Sequence, residues 1–308
     1  MPRVLITGIT GFVGCHLARH LAAEGYGVFG LATDPNRCDV QAVRFYTVDV
    51  TDREALRGAI DDCDPDAIVH LAGLSHVGES WKRPGDYLRV NFGGTRNLVH
   101  AADGRRVVFA SSAEVYGNVS MDRQPIVEDQ PLDPRSPYAM TKACAEAVAL
   151  DRGALVVRSF NSIGPGQAPQ FALPSFASQL AAIGRGECEP VIHVGDLSPR
   201  RDFVHVSDAV RGYQSVIEAG DDGGIYNLAS GVATSIGGAL ERLQKLSGVE
   251  AEIRRDESRV RVVDIPLLQG NCGRLRALGW TPSSNLDDAL RDLWRETVAR
   301  DAQEGPQA

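Results

Sequence analysis

Short β-rich apolar runs alternate with helix-period patterns through the first half of the chain. Val4 to Thr7, Val28 to Leu31, Ala67 to Leu71, Arg106 to Ser111 and Ala154 to Arg158 read as strands. Between them, Phe12 to Glu24, Ala55 to Asp61 and Arg89 to Ala102 carry helical spacing. In the first of these helices Val13, Leu17 and Leu21 fall on one stripe, and Gly25 follows as a stop. This βαβ rhythm predicts an α/β fold: a doubly wound parallel sheet with helices on both faces. After a Gly/Pro-rich loop at 164–169 and a helix near Leu173 to Gly184 the rhythm loosens. Ser235 to Leu246, Arg274 to Leu278 and Leu286 to Val298 read as helices of a smaller lobe.

Composition narrows the class. The 308 residues are 43% hydrophobic and 23% charged, enough to bury a core without disulfide or metal staples. The formal charge of −8 repels nucleic acid and anionic membrane surfaces, so a phosphate ligand needs local basic groups. Six separated cysteines without a CxxC pair suit reduced thiols. With no leader pattern and no long apolar span, the expectation is a cytoplasmic protein. His16 and His20 have metal-ligand spacing, but no nearby carboxylate completes a site, and no metal is expected.

The first strand runs into Gly8-Ile-Thr-Gly11-Phe-Val-Gly14, where a helix begins at once. Gly8 permits a tight turn, Gly11 lets a pyrophosphate approach the backbone, and Gly14 lets the helix pack closely. The amides at the helix start attract phosphate. This strand, loop and helix context points to a dinucleotide. The acidic residue that often ends the second strand is absent, with Ala32 and Thr33 in its place. NAD and NADP therefore both stay open, Thr33 and Arg37 being compatible with a 2′-phosphate.

Tyr138 and Lys142, four residues apart after Pro137, share a helix face. A nearby ammonium favours phenolate and fits the phenol to exchange a proton with a sugar oxygen. Ser112, in Ser111-Ser112-Ala-Glu114, lies just past a strand, at the carboxyl edge where α/β sheets bind ligands.

Together TGITGFVG, HLAG, RVNFGGTRNL, SSAEVYG, SPYAMTK, FNSIGPGQ and RRDFVHVSD resemble, in order and over essentially the whole chain, the extended short-chain dehydrogenase/reductases, the NAD-dependent epimerase/dehydratase family. Within it, SHVGESW, SFNSIGPGQAPQF, VGDLSPRRDFVHVSDAVRGY and RVRVVDIP look most like GDP-4-keto-6-deoxy-D-mannose reductases. The resemblance implies a Rossmann-type domain over 1–159, with 202–229 returning to it, and a smaller mixed α/β substrate lobe from 160–201 and 230–308. It implies a Ser112, Tyr138 and Lys142 triad, with Glu114 as a further candidate. The cofactor, NADP or NAD, would meet Gly8, Thr10, Gly11, Phe12, Val13, Gly14, Thr33, Asp49, Val50, Leu71 and Ala72 as well as Tyr138 and Lys142. A GDP-sugar or other nucleotide-sugar would meet Asn161, Arg201 and Arg261, and a homodimer through two helices per subunit is implied.

Dehydratases of the family tend to carry Thr-Asp-Glu or Thr-Ser-Glu where this chain has Ser112-Ala113-Glu114, and Ala113 cannot donate to a departing hydroxyl. The expected activity is therefore reduction of a C4 ketone to GDP-D-rhamnose or its C4 epimer. The alternatives are a 4,6-dehydratase, a 4-epimerase, or a cofactor-sensing protein without catalysis.

Overall fold

A computed structural model of the chain describes residues 1–34, 40, 43–260, 262 and 265–304, with side chains through 301. Six parallel strands come first: β1 (Arg3–Thr7), β2 (Gly27–Ala32), β3 (Arg44–Thr47), β4 (Ala67–His70), β5 (Arg106–Ser112) and β6 (Leu155–Ser159). The chain then leaves the sheet through β7 (Asn161–Ile163), β8 (Val191–Val194) and β9 (Arg200–His205). It returns as β10 (Ile225–Leu228), parallel to β6. The seven strands run in the order β10-β6-β5-β4-β1-β2-β3. Strand order reverses between β1 and β4, which opens a crevice at their carboxyl ends.

Helices cover both faces. On one lie α1 (Phe12–Ala23) and α8 (Val206–Ala219), which pack on each other. On the other lie α2 (Arg53–Cys63), α5 (Gly94–Ala101) and α6 (Pro137–Asp151), with two short helices, α3 (Val77–Lys82) and α4 (Pro84–Tyr87), against α6. Local chemistry sets their starts. Asp52 accepts from the Glu54 and Ala55 amides at the head of α2, and Ser136 accepts from Ala139, with Pro137 at the first position of α6. Two hydrophobic layers sandwich the sheet, one around Ile6, Leu17, Val108 and Val157, the other around Leu5, Ile60, Phe109 and Val156.

The smaller lobe holds a second sheet in which β9 pairs with β7, β11 (Ala233–Ser235) and β13 (Leu267–Leu268). Beside it lies a parallel pair, β8 with β12 (Glu252–Arg255). Its own core joins α7 (Ala172–Gly184), α9 (Ile236–Ser247) and α11 (Leu286–Glu304) through Phe176, Leu180, Leu240, Leu243, Leu290 and Leu293.

Several sequence expectations are corrected. A boundary at residue 202 would cut β9, which belongs entirely to the small sheet; the crossing comes at Val206, where α8 begins. The helix near Arg274 to Leu278 is α10 (Gly273–Ala277), and it packs on β10 and α8 of the large domain rather than in the small lobe. Cys272, Leu275 and Trp280 there bury into the large core, and the Trp280 indole donates to the Asp208 carbonyl at 2.9 Å. The segment read as one helix from Arg89 opens instead with a π-helical turn, Leu88–Gly93.

Candidate active site

At the crevice Gly8 has φ +67°, a left-handed conformation, and a Cβ there would stand 2.7 Å from the Ala72 amide nitrogen. The first turn therefore passes directly against Leu71 and Ala72, the residues after β4. The Ala72 amide donates to Thr7 Oγ1 at 3.2 Å, closing the two strand ends together. Gly14 is needed for a different reason than expected. A Cβ there would meet the Gly8 and Ile9 carbonyl oxygens at 2.4 and 2.7 Å, so this glycine admits the loop's own carbonyls rather than the sheet. At Gly11 a Cβ would meet only the Gly8 oxygen, at 3.1 Å, and otherwise open space. Gly11 caps α1 without any side-chain hydrogen bond, and the first turn of α1 holds no acidic residue. The cradle in front of Gly11, which a side chain would fill, together with the helix-start amides, fits a dinucleotide's pyrophosphate.

The other expected cofactor positions lie at the loop after β1 and after β2 and β3. Thr10, Phe12 and Val13 are partly buried at the loop and start of α1, Thr33 is exposed at the end of β2, and Val50 is buried after β3. Asp49 is exposed and accepts from both the amide and hydroxyl of Thr51 at 2.8 Å. Arg37 lies outside the described residues.

Across the crevice stand β5 and α6. Ser112 ends β5; its hydroxyl caps the turn 113–116 by accepting from the Glu114 amide at 3.2 Å, and it stands next to the Tyr138 phenol, whose charged form it favours. Lys142 is buried, its ammonium donating to the Ala110 carbonyl at 2.7 Å and lying 4.9 Å from the centre of the Phe109 ring. Ala113 is buried and Glu114 half-buried.

The electrostatics differ from the sequence expectation, in which Lys142 draws the Tyr138 phenol down. Burial pushes the phenol well above its ordinary pKa; the neighbouring Ser112 hydroxyl opposes this and the Glu114 charge adds to it. Burial also pushes the Lys142 ammonium down from 10.5 to about 8, with Glu146 opposing. Tyr138 and Lys142 are 8% and 6% exposed, and desolvation is the largest influence on each.

The three expected substrate residues are not gathered equally. Asn161 is exposed at the start of β7. Arg201 is buried in β9 and donates to the Arg200 and Ile265 carbonyls at 2.9 and 2.6 Å. Its neighbour Asp202 bonds Ser230, Gly231 and Gly270. Arg261 lies outside the described residues. Of the two helical histidines, His16 bonds the Pro165 carbonyl at 2.8 Å and His20 bonds Gln214. Among the described residues no group of three or more potential ligands is placed to hold a metal.

Sequence reasoning missed the polar support beneath the site. Asn91, in the π-helical turn, bonds both backbone groups of Leu74 and the Thr141 hydroxyl. His70 is fully buried between Thr7 and Thr95 at 2.7 and 3.0 Å, and burial drives its pKa down to about 3, so it is neutral. A mid-helix turn of six residues and a lone histidine in an apolar strand leave no periodic signal. The short run 44–47 that forms β3 was likewise unreadable.

A crevice at the switch point of a parallel sheet, a glycine cradle on one side and a Ser-Tyr-Lys group on the other define a dinucleotide-dependent enzyme fold. Residues 4–229 match the NAD dependent epimerase/dehydratase family, and the chain belongs to that family. It is 34% identical to GDP-6-deoxy-D-mannose reductase of Pseudomonas aeruginosa, covering 97% of this chain and 98% of that one. UDP-glucose 4-epimerase of Bacillus subtilis is 29% identical over 95% of this chain. Among solved structures, RMD from Pseudomonas aeruginosa complexed with NADPH superposes with a TM-score of 0.87 at 32% identity, covering 98% of this chain and all of that one. UDP-glucose 4-epimerase of Thermotoga maritima with UDP-glucose gives a TM-score of 0.88 at 26% identity, over 97% of this chain and 99% of that one.

Proposed function

We propose that the chain is an NAD(P)H-dependent reductase of the C4 ketone of GDP-4-keto-6-deoxy-D-mannose, forming GDP-D-rhamnose or its C4 epimer. The observation that carries this reading is a complete Ser112, Tyr138 and Lys142 group with a buried alanine at 113, within a chain similar over its whole length to a GDP-6-deoxy-D-mannose reductase. Reduction of the ketone needs a hydride at carbon and a proton at oxygen. NADPH or NADH, when bound, supplies the hydride.

The chain's residues supply the rest. Ser112 donates to the ketone oxygen and polarises it, and Tyr138 delivers the proton as charge develops there. A phenol whose pKa is raised by burial is held protonated at neutral pH, which is the state a reduction consumes. Lys142 places a positive charge beside the reacting oxygen and holds the cofactor ribose. Glu114 serves as a substrate hydrogen-bond acceptor. Residues 8–14, 33, 49–50 and 71–72 hold the dinucleotide, and Asn161, Arg201 and Arg261 hold the nucleotide-sugar. The expected setting is the cytoplasm, where thiols stay reduced; among the described residues no two cysteines form a disulfide. The exposed Leu88 and Met140, on adjoining helices, support a homodimer.

A 4-epimerase is the second reading, favoured by the equally good superposition on UDP-glucose 4-epimerase. The deciding measurement is near-ultraviolet absorbance of NADPH, and separately NADH, on mixing with enzyme and freshly generated GDP-4-keto-6-deoxy-D-mannose. Stoichiometric, substrate-dependent loss establishes the reductase and its cofactor. No loss with either cofactor, together with tightly copurifying nucleotide, moves the assignment to the epimerase.

A further inference from the structure

The catalytic helix meets three successive residues of β5 and is hydrogen-bonded to two of them. Ala110 accepts from Lys142 and the Ser111 hydroxyl donates to Glu146 at 2.6 Å, while Ser112 stands next to Tyr138. Residues 138, 142 and 146 are spaced four apart, so they form one stripe on α6 facing consecutive positions of the strand. The middle contact is the deepest. Glu146 is 2% exposed, and its carboxylate also receives the Arg158 guanidinium of β6, itself 4% exposed.

Arg158 in turn donates to the Tyr116 hydroxyl and the Glu128 carbonyl at 2.9 and 2.8 Å. Tyr116 donates to Asn227 of β10 at 2.6 Å. One buried carboxylate thus couples α6 to β5 directly, and to β6 and β10 through this chain of bonds. Glu146, Arg158, Tyr116 and Asn227 are each at most 4% exposed, and their polar groups bond one another, Ser111 and backbone.

We propose that Glu146 is a positioning residue: through Ser111 and Arg158 it sets the register of α6 on β5, and this register brings Tyr138 to Ser112. A buried ion pair is expensive and adds little net stability over apolar packing, while it does fix geometry through directional bonds. A slip of α6 by a fraction of its rise moves the phenol off the oxygen that Ser112 holds, which costs rate far more than binding. The Glu146 charge also opposes the burial that drives the neighbouring Lys142 ammonium toward its neutral form.

The inference rests on the reductase reading, and the test keeps the two apart. Glu146→Gln alone strands the Arg158 charge and is a folding risk, so the informative variant is Ser111→Ala, which removes one fastening and leaves the ion pair intact. The expected result is a folded protein whose kcat falls roughly tenfold or more, with KM for the keto-sugar and for NADPH within about twofold. In the cofactor-free protein, amide hydrogen exchange across 138–146 should quicken. The double variant Glu146→Gln, Arg158→Met keeps an acceptor for Ser111 and should retain more kcat than Ser111→Ala. Unchanged kcat and unchanged exchange in folded Ser111→Ala, or a loss confined to KM, would overturn the role. If the wild-type protein consumes neither cofactor, the reductase reading has failed and the exchange comparison alone decides the positioning role.

Discussion

Lys142 is the residue whose surroundings make the sharpest demand. Burial lowers its pKa from 10.5 to about 8, so between those values the folded chain has released a proton that the unfolded chain retains. The unfolded state binds more protons there, and its contribution to stability therefore rises with pH from about 8 to 10.5, by up to about 3 kcal/mol at about 1.4 kcal/mol per unit. Urea denaturation at pH 7.5 and 9.5 should show this rise in the wild type and its absence in Lys142→Met. Turnover should run the other way, falling as pH climbs through about 8 and the ammonium is lost. Tyr138→Phe should cut turnover by about 10²- to 10⁴-fold, read by cofactor oxidation, while NADPH binding by fluorescence titration persists. The triad was legible because its residue types come in a recognisable order and spacing. Glu146 and Arg158 were not. Each is a lone charge in an otherwise unremarkable helix or strand, and its meaning lies in a partner 12 residues away in sequence that only the fold brings across the sheet.

Among elements, the β1-loop-α1 unit is the part where sequence spoke most directly, and its three glycines separate into testable roles. Gly11→Ala places a methyl in the phosphate cradle while meeting only one protein oxygen, at 3.1 Å. NADPH affinity should fall at least about tenfold with little change in melting temperature, since the loss is of close backbone approach to phosphate. Gly14→Ala drives a methyl to 2.4 Å from the Gly8 oxygen and should destabilise the fold itself, by about 1–3 kcal/mol or more. Calorimetry with and without NADPH distinguishes the two; an equal loss of stability in both would refute the division. The helix Ala55 to Asp61 and the strands β4 to β6 were legible because each has one consistent apolar face or a continuous apolar run. The π-helical turn at 88–93 was not, as the bonds made by Asn91 within it run to Leu74, 17 residues distant. The reassignment of α10 has the same origin: the short sequence GRLRA fits either lobe, and the burial of Leu275 and Trp280 against β10 and α8 decides.

For the whole molecule, the two faces of α6 carry different demands. Its inner stripe, 138, 142 and 146, is committed to β5, while Met140 and Cys144 stand exposed on the outer side, Met140 at 52%. The adjoining π-helical turn exposes Leu88 at 53%. Apolar side chains of this size on neighbouring helices give a second copy a surface to bury, and a symmetric partner presents the same patch in return. Met140→Glu with Leu88→Glu would set like charges facing each other across such a twofold contact, and because both residues are already solvated in one chain the fold should be unaffected. Light scattering after size exclusion should therefore report a dimer for the wild type and a monomer of about 33 kDa for the double variant, with NADPH binding retained in the monomer. A wild-type monomer removes the dimer from the proposal. A dimer that survives both charges places the contact on another face. Loss of turnover on dissociation, with cofactor binding intact, would mean that the inner stripe holds its register only when the outer face is covered.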